Sequence, residues 1–254
     1  MSGDPLAHGD HWAALRRQTP ARLALGRSGV SLPTAPHLAF QLAHAEARDA
    51  VHAPLDREAV AAAIEALGIR VLPLHSAATD RVSYLSRPDL GRRLDDASRR
   101  ALAAVAAASY GLAFVVADGL SAAAVNRYAA ALIAATLRLL DADRWRIAPA
   151  ALVAEGRVAI GDEIGAALGA KLVVVLIGER PGLSAPRSLG AYVTWAPAVG
   201  AKDAARNCIS NIRDDGLKIP DAARTLATLI ENAVRHRCTG VALAASTRQA
   251  LMLT

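Results

Sequence analysis

The sequence predicts an α/β fold: a Rossmann-like, mostly parallel sheet flanked by helices, with a small helical domain or arm on the N-terminal side. Three observations support that class. The run Val173-Val174-Val175-Leu176-Ile177 is aliphatic and mostly β-branched, the pattern of a strand buried on both faces. From about Arg87 onward, short apolar runs alternate with stretches of helical period, which implies a parallel sheet with helices on both faces. Ala is abundant and aromatic residues make up only 4%, which suits tight packing of helix on sheet.

Before residue 87 the pattern is helical. A short helix is expected over 10–18, ended by Thr19-Pro20. Residues 27–36 are rich in Gly, Ser, Pro and Thr and read as a loop. Residues 37–51 form an amphipathic helix with Leu38, Leu42 and Ala45 near one face, and Pro54 breaks it. Another helix covers 56–67, with Asp56 as its cap and Gly68 at its end. Residues 1–86 are thus expected as a helical domain or arm, and 87–254 as the α/β domain. In the second part, 88–108 reads as a helix with Pro88 at its start and Asp89 in its first turn. Residues 112–117 are a buried strand. Asp118-Gly119-Leu120-Ser121 turns into a helix over 122–141. A strand lies within 145–154, a short helix spans 162–168, and the strand 172–177 follows. Residues 192–195 form a further short strand, 220–237 a closing helix, and 241–244 a last strand.

Composition excludes several functions. The 254 residues suffice for one large domain or two small ones, and 53% are apolar, enough for a sizeable core. The formal charge is +6, almost all of the positive charge is Arg, and Lys occurs only at 171, 202 and 218. Arg favours fixed contacts with carboxylates, phosphates and carbonyl-rich surfaces. No basic run interleaves with aromatics, and Arg alternates with Asp and Glu, so no nucleic-acid partner is expected. Cys208 and Cys238 make no disulfide framework and no zinc spacing. His44 and His52 are eight apart and form no metal set. The N-terminus lacks a signal pattern, and the apolar run 172–177 is too short to span a bilayer. A soluble cytoplasmic protein without a membrane partner is expected.

In an open α/β sheet, ligands sit beyond the carboxyl ends of the strands. The run 173–177 stops at Gly178, and Glu179, Arg180 and a Pro-Gly turn follow at once. An ionised carboxylate only accepts hydrogen bonds, so Glu179 suits a ligand rich in amide N–H donors and suits a phosphate badly. The alternative is a surface salt bridge. Asp118-Gly119-Leu120-Ser121 reads either as a ligand-contacting turn or as a plain strand-to-helix turn capped by Ser121. It lacks the Gly-x-Gly-x-x-Gly of a dinucleotide site. Val158, in Gly156-Arg157-Val158, either offers its backbone to a ligand or fills a hole. Cys208, in Asn207-Cys208-Ile209-Ser210-Asn211-Ile212, has no His close in sequence, so a small contact residue is preferred to a nucleophile.

Taken together these segments resemble the small (light) subunit of ethanolamine ammonia-lyase. The resemblance covers most of the chain. It rests on Leu15-Arg16-Arg17-Gln18-Thr19-Pro20-Ala21-Arg22, Gly26-Arg27-Ser28-Gly29 and Ala47-Arg48-Asp49-Ala50-Val51. It continues in Tyr84-Leu85-Ser86-Arg87-Pro88-Asp89-Leu90-Gly91-Arg92-Arg93-Leu94 and Ala117-Asp118-Gly119-Leu120-Ser121. It ends in Gly178-Glu179-Arg180-Pro181-Gly182-Leu183 and Asn207-Cys208-Ile209-Ser210-Asn211-Ile212. No one segment is specific, but their order and spacing together are.

The resemblance implies an adenosylcobalamin-dependent enzyme that converts ethanolamine to acetaldehyde and ammonia by radical rearrangement. It implies a hetero-oligomer with a large (β/α)8-barrel subunit that holds the substrate, with cobalamin between the two subunits. The small subunit then contributes cofactor contacts and no catalytic group; a purely structural assembly partner is the alternative. Carried over by position, the contacts are Val158, Glu179 and Cys208. The chain has no Asp-x-His-x-x-Gly, so the cofactor's own benzimidazole is expected to stay on cobalt. Many members carry a longer polar N-terminal extension associated with packaging into a bacterial microcompartment, and that extension is nearly absent here. A cytoplasmic location is expected, with the microcompartment as a second one.

Overall fold

In a computed structural model, residues 12–105 and 108–252 are described, with side chains to residue 246. Parts of the helices expected over 10–18 and 88–108 lie outside these residues. The chain opens with α1 (Ala13–Arg16), α2 (Thr34–His52) and α3 (Arg57–Glu65). Then follow β1 (Val71–His75), α4 (Arg81–Ser86), α5 (Asp96–Ala103), β2 (Tyr110–Ala117) and α6 (Ala122–Leu137). The rest comprises β3 (Ala150–Ala154), α7 (Ile160–Leu168), β4 (Ala170–Gly178), β5 (Leu189–Trp195), β6 (Arg206–Ile212), α8 (Ile219–His236) and α9 (Val241–Met252).

The six strands form one sheet in the order β1-β3-β2-β4-β5-β6. The first four run parallel, and β5 and β6 pair antiparallel. The sheet is therefore mixed. Helices cover both faces. Val173, Val175 and Ile177 of β4 pack with Ile160 and Ile164 of α7 and Leu102 of α5. Leu172, Val174 and Leu176 face the other way, toward α3, α6 and α8. A strand buried on both faces must be apolar at every position, which is why β4 reads so clearly.

The edge strands read less clearly. β1 was not expected, and it places part of the 1–86 arm in the sheet. It contains Pro73, which an edge strand tolerates because its missing N–H faces away from the ladder. β6 is the other edge, and only Arg206, Ile209 and Ile212 along it are buried. Half-exposed strands carry polar residues, so their sequence resembles a loop.

Two expectations are overturned. Residues 241–244 begin helix α9 and form no strand. Four apolar residues cannot separate strand from helix, and the Ala-rich continuation favours helix. Gly240 sets the start with φ +70°, where an added Cβ would lie 1.9 Å from the Ala204 carbonyl oxygen. Residues 88–108 are not one helix either. A 3-10 turn at Leu90–Arg92 is followed by an extended Arg93, and α5 starts afresh from Asp95, which accepts from Ser98 N–H at 2.6 Å. Tertiary ties decide this break. Gly91 C=O accepts from Arg157 N–H at 2.7 Å, and Leu94 N–H donates to Glu163 at 2.8 Å.

Chain connectivity makes a crevice. β2 feeds α6 on one face of the sheet, while its neighbour β3 feeds α7 on the opposite face. Their carboxyl ends diverge there, the place where open sheets hold ligands.

Candidate functional site

That crevice is filled by the chain itself. Asp118, one residue past β2, is 5% exposed. Its carboxylate accepts from Gly119 N–H at 2.8 Å, Gly156 N–H at 3.1 Å and Glu155 N–H at 2.9 Å. It thus stitches the end of β2 to the turn after β3. Burial pushes this carboxyl up to about 6, against the pull of the Glu155 and Gly156 N–H groups and of Arg81. Arg81 also donates to Glu155 at 3.0 Å and to the Gly119 carbonyl at 2.8 Å. Tyr84 lies between the guanidinium groups of Arg81 and Arg157, 4.8 and 4.2 Å from its ring centroid. Its hydroxyl donates to the Gly156 carbonyl at 3.2 Å. Arg157 Nε is buried without a hydrogen-bond partner, and the Tyr84 ring face supplies the missing electron density. This cluster fixes the 155–158 turn.

The turn after β2 touches the end of β4. Gly119 has φ +59°, and a Cβ there would come within 2.3 Å of the Gly178 carbonyl oxygen. Leu120 N–H donates to that same oxygen at 2.9 Å. Ser121 does not cap α6; its hydroxyl donates to the Pro186 carbonyl at 3.1 Å. The segment 118–121 is thus a structural junction.

Open space lies to one side, over β4, β5 and β6. Two adjoining clefts share Arg157, Val158 and Tyr192 as their common wall. One, of about 470 Å³, continues along Gly119, Gly178, Glu179, Arg180 and Ser210. The other, of about 580 Å³, continues along Arg92, Lys202, Asp203, Arg206 and Cys208. Both sizes fall within the range of ligand sites. The structure thus brings Val158, Glu179 and Cys208 to one face: Val158 at the junction, Glu179 in one cleft and Cys208 in the other.

Glu179 makes no ion pair among the described residues, so the salt-bridge alternative is not what holds it. Its carboxylate accepts from the Ser188 hydroxyl at 2.5 Å, the Asn211 N–H at 3.1 Å, and the Ser210 hydroxyl. Two oxygens offer about four lone-pair sites, so Glu179 retains acceptor capacity toward the cleft. Cys208 is a free thiol with no histidine among its hydrogen-bonding partners. The residue is exposed, but desolvation of its thiol at the cleft wall and the Glu179 charge push it up, opposed by a hydrogen bond with Tyr192. A raised thiol is a poor nucleophile, and this one is suited to contact. Burial likewise keeps Tyr192 protonated throughout the physiological range. Behind Cys208, Arg206 and Asp162 form a buried fork with contacts of 2.5 and 2.9 Å, which ties β6 to α7.

Sequence reasoning missed Tyr192 and Arg157 as cleft residues. Tyr192 sits in a run read only as a strand, and nothing local marks which face it lines. Arg157 stands beside Val158, but its guanidinium direction depends on Tyr84, 73 residues away in sequence. No group of three or more metal-ligating side chains occurs among the described residues, and none of their helices is long and apolar enough to cross a membrane.

A mixed α/β sheet carries paired clefts over its strand ends, walled by a thiol, a phenol and a hydrogen-bonded carboxylate, the kind of concave site in which α/β proteins hold ligands. Comparison with known proteins makes this specific. The family described as Ethanolamine ammonia-lyase light chain (EutC) matches residues 9–244. An ethanolamine ammonia-lyase small subunit of Ralstonia nicotianae is 59% identical over 235 residues, covering 91% of this chain and 87% of that protein. One of Xanthomonas campestris pv. campestris is 56% identical, covering 92% and 87%. One of Azotobacter vinelandii is 55% identical, covering 96% and 91%. The chain belongs to the ethanolamine ammonia-lyase light-chain family.

Proposed function

We propose that this chain is the small subunit of an adenosylcobalamin-dependent ethanolamine ammonia-lyase, a carbon–nitrogen lyase active only with its large subunit. Its role is to contact the cofactor at the interface between the two chains. The radical chemistry is supplied by the cofactor when bound, and the protein supplies orientation and exclusion of water. The observation that carries the reading is Glu179: a carboxylate on the rim of a strand-end cleft, oriented by Ser188, Ser210 and Asn211, with an acceptor site left over. A corrin edge carries amide side chains, which donate N–H groups to such an acceptor. Val158 supports the same reading by lining both clefts, and Cys208 by offering a neutral thiol to the second. Arg92, Arg157 and Lys202 line that second cleft, whose one lining carboxylate, Asp203, is already 3.6 Å from Arg206, and this positive balance suits the anionic part of a large ligand. The residues present fit the cofactor.

A second reading has its own observation. The three donors on Glu179 belong to this chain, so the carboxylate also ties the end of β4 to β6. A purely structural partner of the large subunit would use it for that alone. Co-expression of both subunits separates the two. Acetaldehyde release that needs ethanolamine, adenosylcobalamin and both chains supports the lyase reading. A stable complex in which Glu179→Gln leaves cobalamin affinity unchanged supports the structural one.

A further inference from the structure

We infer that the face formed by residues 12–45 is a docking surface for the large subunit, which covers it with an apolar groove rimmed by carboxylates. The inference rests on the small-subunit reading above.

The sequence of this stretch is one-sided. Between residues 12 and 45 it holds four arginines, Arg16, Arg17, Arg22 and Arg27, and no Asp or Glu, with Asp4 and Asp10 preceding it in the sequence. Its helix α2 buries only Ala43 and Ala50. Leu38 and Leu42, one turn apart, are 56% and 61% exposed. Phe40 is exposed on a different side of the same helix, with the Arg22 guanidinium 5.8 Å from its ring centroid. A helix that is apolar on several sides is ordinarily covered. Val30 and Leu32, in the loop ahead of α2, extend the patch. Apolar area of this kind, edged by one sign of charge, marks a protein–protein site.

The occupant follows from charge and continuity. A second copy of this chain would set the same arginines against one another, because a two-fold interface repeats one patch on both sides. A different chain with acidic character is the partner that fits. The face also runs onto the strand-end clefts. Arg22 donates to the Leu183 carbonyl at 3.4 Å, and Leu183 lies in the loop that leaves Glu179. Arg81 grips the Val51 carbonyl near the end of α2 at 2.9 and 2.7 Å while holding the Gly119 turn. Helix α2 is therefore fixed relative to the proposed cofactor face, and one partner reaches both.

The test is the dissociation constant between the two subunits for a Leu38→Glu/Leu42→Glu variant. Both side chains are exposed, so the melting temperature of the chain should not change. Affinity for the large subunit should fall about 100-fold or more. Arg22→Ala/Arg27→Ala should slow association and flatten its salt dependence. If the glutamates lower the melting temperature, Leu38→Gln/Leu42→Gln carries the test with the same expected direction. An unchanged dissociation constant in the folded variant overturns the inference. So does a dimer of this chain alone that the variant dissolves, since the occupant is then a second copy. A wild-type complex that weakens as expected in the variant but binds no adenosylcobalamin sinks the cofactor reading and leaves the docking face standing. Wild-type chains that do not associate at all overturn both.

Discussion

Asp118 and Glu179 stand at the carboxyl ends of neighbouring strands, β2 and β4, and each accepts three hydrogen bonds from within the chain. Their donors differ. Asp118 takes three backbone N–H groups in a closed crevice, so its geometry is set by the fold and no ligand can reach it. Glu179 takes two hydroxyls and one N–H on a half-open rim, and hydroxyls can turn as a ligand arrives. Two carboxylates at matching places in one sheet thus sit in different surroundings, one closed and one open. The strand connections that usually create a ligand crevice here create a junction, and the open site moves one strand over, toward the antiparallel edge.

The comparison can be broken by substitution. Asp118→Ala strands two buried N–H groups and one part-buried N–H, and at about 1–3 kcal/mol for each unsatisfied group it should cost about 3 kcal/mol or more of stability, read by urea denaturation. A loss under about 1 kcal/mol would show that the crevice is not closed. Glu179→Ala should weaken cobalamin binding to the two-subunit complex about 10- to 150-fold, the equivalent of a charge-assisted hydrogen bond. Its effect on stability should be smaller than that of Asp118→Ala, because water can replace it on the rim. The reverse ranking, with cofactor affinity intact, would return Glu179 to a structural role.

Two smaller effects sharpen the contrast. Asp118 holds its proton up to about pH 6 in the folded chain, against an ordinary value of 3.8. The folded state therefore binds more protons than the unfolded state between these values, and stability from this group rises as pH falls through that window. Lowering pH from 7 to 5 should gain wild type about 1 kcal/mol relative to Asp118→Asn, by linkage. Equal pH profiles from chemical denaturation would count against a buried, raised carboxyl. Tyr192→Phe removes one hydroxyl from the wall between the clefts. It should shift cobalamin affinity by about 5-fold or less, one neutral hydrogen bond, with the melting temperature little changed.

The core strands were legible because burial on both faces demands an apolar residue at every position. β2 and β4, and the helices α6 and α8, fall where their periodicity puts them. The edge strands β1 and β6 were not legible, because one open side admits Pro73 or Asn207 and dilutes the pattern. The helix expected over 88–108 failed because local propensity lost to long-range bonds from Arg157 and Glu163. Ser121 looked like a cap, but its hydroxyl had a better partner in Pro186. That Glu179 lines a cleft could be read from its place after a buried strand. Asp118 looked like its equal in sequence, and only the neighbouring turn showed that it was already used.

By itself the sequence determined the α/β class, the central strands and their flanking helices, the absence of a nucleotide glycine fingerprint and, by resemblance, the family. These follow from periodicity, composition and motif order, which are local properties of the chain. Tertiary structure alone decided that β5 runs antiparallel to its two neighbours, that Asp118 closes the switch-point crevice, and that Val158, Tyr192 and Cys208 share one pair of clefts. Each of those depends on which distant segments pair, and hydrogen-bond partners tens of residues apart leave no periodic trace in either segment.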